Sequence, residues 1–286
     1  MQILRYGLVV LAITLLVPAS WAQQNSFLRF APGADEWQGS LQTSITRYEN
    51  DQGQQVDLIA AIHIADASYY EALNDHFETL GEVLFELVTD EEDFARAPSG
   101  SNVSGVSILQ SFAAQFLELQ FQLDGIDYQQ DNFTRADLSA QELAEIMATK
   151  NESFFSMLLK MARAQMAAEQ SAIENQDVEP SALTMMSLIS ALGAESQAQA
   201  LKYLLAQEMG RSGDLALSPE LESQITILGD RNAVALQALS ELLAQDEDSI
   251  GLFYGAAHMP GISRALIQEL GFQQISRDWY TAWDIP

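Results

Sequence analysis

The chain predicts an α/β fold: one mixed, mostly parallel central sheet flanked by helices, with a large all-helical insertion between its N- and C-terminal halves. Three observations carry this. Nearly continuous apolar runs at 56–62, 82–88 and 250–254 read as strands buried on both faces. A helical pattern follows the first and the last of them. Between the two strand-rich ends, from about 108 to 245, the chain turns to Ala, Leu, Gln, Met and Glu with few strand signals.

Taken in order, residues 1–22 carry Arg5, a short apolar stretch and the small-residue ending Ala19-Ser20-Trp21-Ala22, the layout of a cleaved secretory leader. The expected folded chain is therefore 23–286, exported to the periplasm or secreted. Residues 40–49 and 56–62 read as a hairpin across the turn Asn50-Asp51-Gln52-Gly53. A helix follows, opened by a Ser68/Glu71 capping box, carrying Tyr70, Leu73, Phe77 and Leu80 on one face, and stopped by Gly81. The run Glu82-Val83-Leu84-Phe85-Glu86-Leu87-Val88 is the next strand, completing a βαβ unit with a right-handed crossover. Residues 98–107, rich in Gly and Ser, read as a loop or lid. In the helical block, Ser139 with Glu142 opens a helix bearing Leu143, Ile146 and Met147, and Ser218-Pro219 marks another start. Met157, Met161, Met166, Met185 and Met186 read as fillers of a helical core. A strand at 250–254, a helix at about 262–270 closed by Gly271, and one or two strands within 272–283 finish the chain.

Composition excludes several classes. The net charge is −27, one unit more negative once Arg5 leaves with the leader, and there are only three lysines. Such a surface repels phosphate backbones and anionic lipid, so nucleic acid is not an expected partner. The absence of cysteine removes disulfides, thiolate metal sites and a lipoprotein anchor. No second stretch is apolar enough to suggest a membrane span beyond the leader. Oligomeric state leaves no mark on the sequence. There is no Gly-x-Ser-x-Gly elbow, phosphate-cradling loop, dinucleotide fingerprint or His-Glu-x-x-His.

The chemistry points to histidine. Of only three in the chain, two end apolar runs that finish in small residues: Ala60-Ala61-Ile62-His63 and Gly255-Ala256-Ala257-His258. Small residues let backbone or ligand approach closely, and the carboxyl edge of an open α/β sheet is where ligands bind. Glu86 lies in a third such run, where a buried carboxylate needs a cation or a partner. Two imidazoles and a carboxylate suit a catalytic divalent metal; hydrogen-bonded structural histidines are the competing reading. His76 sits beside an apolar helix face and takes no role. Arg135 with Asp137 reads as a surface-loop ion pair, and Arg231 as an exposed helical arginine.

These motifs together resemble the TraB/GumN family, related to the TIKI metalloproteases and to the group around erythromycin esterase and the ChaN-like proteins. The resemblance rests on the two small-x-x-His motifs, on Glu86 in Phe85-Glu86-Leu87, and on Leu123-Asp124-Gly125-Ile126-Asp127-Tyr128, Asn132-Phe133-Thr134-Arg135-Ala136-Asp137-Leu138, Asp230-Arg231-Asn232 and Trp279-Tyr280-Thr281-Ala282-Trp283. The first motif begins with Ala60 where the family has glycine. The resemblance implies a metal-dependent hydrolase, most plainly a peptidase, acting on a peptide or a small amide or ester. His63 and His258 would be metal ligands and Glu86 a third ligand or general base. Arg231 would hold Glu86 or stabilise an oxyanion. Asp127 and Tyr128 would line the cleft. The metal would be manganese or cobalt, with zinc also suited to the donors. The alternative from the same resemblance is a non-catalytic peptide- or pheromone-binding protein, or a polysaccharide-export accessory protein.

Overall fold

Six of the seven strands in the main sheet run the same way, and only the long β2 (Gly39–Glu49) is reversed. The computed structural model describes residues 26–89, 119–153, 184–213 and 225–286, with 156, 160, 163 and 222. The architecture is α/β, a mixed and mostly parallel sheet flanked by seven helices among the described residues.

β9 (Gln273–Ile285) occupies one edge of β2 along its whole length, with two register shifts. β1 (Leu28–Pro32) and β3 (Gln55–Ala61) therefore share the other edge, β1 opposite residues 39–43 and β3 opposite 45–49. Beyond β3 lie β8 (Ser249–Gly255), β5 (Glu82–Phe85) and β7 (Phe133–Arg135), all parallel. A small separate ladder joins β4 (Ile64–Ala65) to β6 (Gln120–Phe121).

The apolar runs are continuous because both faces of these strands are covered. On one side Ile59, Val83, Phe85 and Phe253 pack against Tyr69, Tyr70, Leu73 and Phe77 of α1 (Ala67–Phe77). On the other, Leu58, Leu84, Leu252 and Tyr254 meet Ala235 and Leu239 of α6 (Gly229–Leu243), and Met259, Ile262 and Leu266 of α7 (Met259–Gln268). Successive residues of one strand enter opposite clusters, as pleating requires. β3 and β5 are parallel but do not touch, because β8 lies between them. Gly251 allows the fit: a Cβ there would lie 2.7 Å from Leu80 Cδ1 and 3.1 Å from Ile59 Cδ1.

Several expectations need correction. The segment 108–245 is not wholly helical, since it supplies β6, β7 and the short α2 (Gln122–Gly125) before α3 (Ala140–Thr149). β7 is three residues long, too short for any periodic signal; Phe133 wedges between Phe77 and Phe85, and Asn132 Nδ2 donates to Phe77 O and Leu80 O. Ser68 and Glu71 do not form a capping box on α1. Its N-cap is Asp66, whose carboxylate instead accepts from Lys202 Nζ at 3.1 Å and Asp284 N at 2.5 Å. The Ser139/Glu142 box on α3 is present. Met185 and Met186, on α4 (Met185–Leu192), are exposed and not core fillers. Farther along the same segment, α5 (Gln197–Gly213) packs beside β1 and β2. Pro260 falls in the first turn of α7, and Gly271 beyond its end takes a φ of 74°. The leader at 1–22, the 98–107 loop, Ser218-Pro219 and Met157, Met161 and Met166 lie outside the described residues. Among the described residues no helix is long and apolar enough to cross a membrane.

Candidate functional site

Four adjacent parallel strands each present one ionisable side chain at the carboxyl end. In spatial order these are His63 after β3, His258 after β8, Glu86 after β5 and Asp137 after β7. That is the edge at which open α/β sheets bind ligands. Parallel pairing sets the order, with Ala61 opposite Gly255 and Phe85 opposite both Phe253 and Arg135.

Glu86 is the hub. Its Oε2 accepts the Gly255 backbone N–H at 2.6 Å, and its Oε1 lies 2.7 Å from Arg231 Nη2 and 3.5 Å from His258 Nε2. Gly255 permits this closeness: a Cβ there would be 3.3 Å from Glu86 Oε2 and 3.8 Å from His258 Cδ2. Burial would push the Glu86 carboxyl up, but His258, Arg231 and the Gly255 N–H outweigh it and hold it far below the usual carboxylate range.

Arg231, expected on a solvent face, is buried. Its Nε and Nη2 donate to Asp137 Oδ1 at 2.9 Å and Oδ2 at 2.5 Å, a bidentate pair, while Nη2 also meets Glu86. Burial opposes its charge, and the two carboxylates more than restore it, raising its pKa. Asp137 is likewise buried, so the expected surface pair with Arg135 is overturned; Arg135 Nη1 donates instead to the Asp137 and Leu138 carbonyls. With both Glu86 and Asp137 on its guanidinium, Arg231 is a clamp on carboxylates.

The two strand-end histidines are held alike. His258 Nδ1 lies 2.7 Å from Asn232 Oδ1, and His63 Nδ1 lies 3.2 Å from Gln122 Oε1. A carboxamide oxygen only accepts, so in this orientation the facing Nδ1 is the donor of each pair. His258 is buried; His63 is exposed. Gln122 Nε2 in turn donates to Tyr128 Oη at 2.9 Å. Burial pushes the Tyr128 hydroxyl up to about 12, the Gln122 bond opposes this, and the charge of Glu86 adds to it. Tyr128 thus lies within electrostatic reach of the site. Asp127 is exposed, and its Oδ1 accepts from Gln129 N.

The donors fit a divalent ion at one pair. Two ligand atoms about 2.1 Å from one tetrahedral cation lie about 3.4 Å apart. The 3.5 Å between His258 Nε2 and Glu86 Oε1 matches that, and is long for a hydrogen bond. Nδ1 anchoring by a carboxamide and an arginine behind the carboxylate are outer partners that metal ligands commonly have. Among the described residues no three His, Asp or Glu side chains form a group that could hold a metal ion, so His63 is not gathered in with this pair.

Sequence reasoning missed Asp137, Asn232, Gln122 and Glu222, all polar and buried here. Asn232 directly follows Arg231, the single available hint; the others carry no local signature. His76, given no role, has Nε2 3.0 Å from the buried Asp57 Oδ2, which also takes a bidentate pair from Arg47. No protein family, curated protein or solved structure matches the chain.

Proposed function

We propose that the protein is an exported hydrolase, of the metallopeptidase kind that the TraB/GumN resemblance implies, working at the carboxyl edge of its parallel strands. The observation that carries this reading is the pairing of His258 Nε2 with Glu86 Oε1 at 3.5 Å, with the far side of each already fixed by Asn232 and by Arg231. Glu86 and His258 would hold a divalent manganese, cobalt or zinc ion, with His63 on the neighbouring strand standing outside that pair. Such an ion supplies an acidified water and a Lewis acid for an amide or ester carbonyl.

The chain's own residues have narrower tasks. Glu86 has Oε1 on Arg231 and Oε2 on the Gly255 N–H, which suits an anchored anion better than a mobile proton carrier. Arg231 keeps that anion in place by bridging it to Asp137. The Tyr128 hydroxyl, kept protonated by burial, is a neutral donor for a substrate oxygen.

The test is calorimetric titration of the purified protein with Mn²⁺, Co²⁺ and Zn²⁺, together with mass-spectrometric analysis of a peptide mixture incubated with each. Expected are near-stoichiometric binding, peptide cleavage abolished by chelation, and loss of both in His258→Ala. Failure of all three metals to bind, with no cleavage, rejects the proposal. Peptide retention without cleavage, unaffected by chelator, would instead support the sequestering alternative.

A further inference from the structure

We infer that Glu222 is a positioning residue that locks His258 into its Nδ1–H tautomer through Asn232. The inference deepens the hydrolase reading, but its geometry stands without a metal.

Asn232 Nδ2 lies 2.8 Å from Glu222 Oε1 and 3.5 Å from the His258 carbonyl oxygen, and Asn232 Oδ1 lies 2.7 Å from His258 Nδ1. A carboxamide can be turned end for end at little intrinsic cost, so something must choose its orientation. A carboxylate only accepts, and Arg264 Nη1 and Nη2 donate to the other oxygen of Glu222, Oε2, at 3.2 and 3.3 Å. Glu222 therefore draws the NH₂ end of Asn232 to itself and turns the oxygen to His258. His258 Nδ1 must then donate, which leaves Nε2 as the ring nitrogen facing Glu86 Oε1, 3.5 Å away. All three side chains are buried, so water does not offer an alternative partner cheaply.

Gly261 makes the arrangement possible. A Cβ at this position of α7 would lie 1.6 Å from Glu222 Oε1 and 2.7 Å from Asn232 Nδ2. The His63 side differs in a telling way. Its carboxamide, Gln122, is oriented by the Tyr128 hydroxyl, which can donate as well as accept, so nothing forces the tautomer there.

The test is a two-bond ¹H–¹⁵N correlation spectrum of ¹⁵N-labelled, metal-free protein at a pH above the imidazole titration. With only three histidines, His258 is assigned by its disappearance in His258→Gln. The expected wild-type pattern is a single form with Nδ1 protonated and Nε2 bare. Glu222→Ala, and independently Gly261→Ala, should convert this to a mixture containing Nε2–H, whereas Arg264→Met should change it less. Mn²⁺ affinity should fall about 10- to 100-fold in Glu222→Ala, the usual effect of removing an outer partner of a ligand. A wild-type His258 carrying Nε2–H, or remaining doubly protonated, overturns the inference even if the variants fail to fold. An unchanged pattern in both glutamate and glycine variants also overturns it. The spectrum needs neither metal nor substrate, so it can succeed where hydrolysis fails, and the reverse.

Discussion

At Arg231 one guanidinium meets two carboxylates, Asp137 through a bidentate pair and Glu86 through Nη2, and all three side chains are largely removed from water. Ion pairs this deep add little net stability when complete, but removing one member leaves the other charges buried and unanswered. Arg231→Met should therefore cost about 3–5 kcal/mol in urea denaturation. Arg231→Lys should recover only part of that loss, since a single ammonium cannot reproduce the planar fork. A loss below about 1 kcal/mol, the range of exposed pairs, would mean water reaches the cluster. The residue scale is also where the sequence was least legible. His63, Glu86 and His258 stood out because each follows an apolar run, a pattern read along the chain. Asp137, Asn232 and Glu222 did not, because their partners come from other elements, and no local spacing encodes a contact between residues 137 and 231.

Among elements, Asp57 ties three together. It sits inside β3, buried, and receives Arg47 from β2 and His76 from α1. Burial would raise its pKa, but the bonds from Arg47 and His76 win and leave it lowered. A carboxyl held below its unfolded value contributes stability above that value, about pH 4, and loses it as pH falls through the folded pKa. Asp57→Asn should thus be clearly less stable than wild type at pH 7, with the gap narrowing progressively below about pH 4. A gap that stayed constant down to pH 2 would show that the aspartate's charge is not what holds these elements. The elements themselves were legible wherever the pattern was long: β2, β3, β8, α1 and α7 fall where the apolar periodicities put them. β1 and β7 were not, being five and three residues with no alternation to count. Nor could spacing show that β8 enters between β3 and β5, because strand order is a property of the assembled sheet.

For the whole molecule the governing quantity is the charge of −27. Cations are scarce, and several among the described residues are already paired: Lys150 with Asp230, Lys160 with Glu152, Lys202 with Asp66, Arg211 with Glu208, besides Arg47, Arg231 and Arg264. The surplus carboxylates face one another across the surface, and folding brings them closer than in the extended chain, so self-repulsion opposes the native state. Added salt acts in two directions. It weakens exposed ion pairs, each contributing about 0–1 kcal/mol, and it screens the repulsion, which sums over many more carboxylates than there are pairs. Repulsion should dominate, because its range in dilute salt, about 30 Å at 0.01 M, spans much of the surface, whereas at 1 M it shrinks to about 3 Å. The thermal midpoint is therefore expected to rise steadily from 0.01 to 0.5 M NaCl. At about 2–4 °C per kcal/mol for a chain of this size, a few kcal/mol of relieved repulsion gives a shift of several degrees. Arg231→Met should show the same salt slope as wild type, since its defect lies where ions do not penetrate. A midpoint that is flat or falls across this range would mean that the surface pairs outweigh the repulsion.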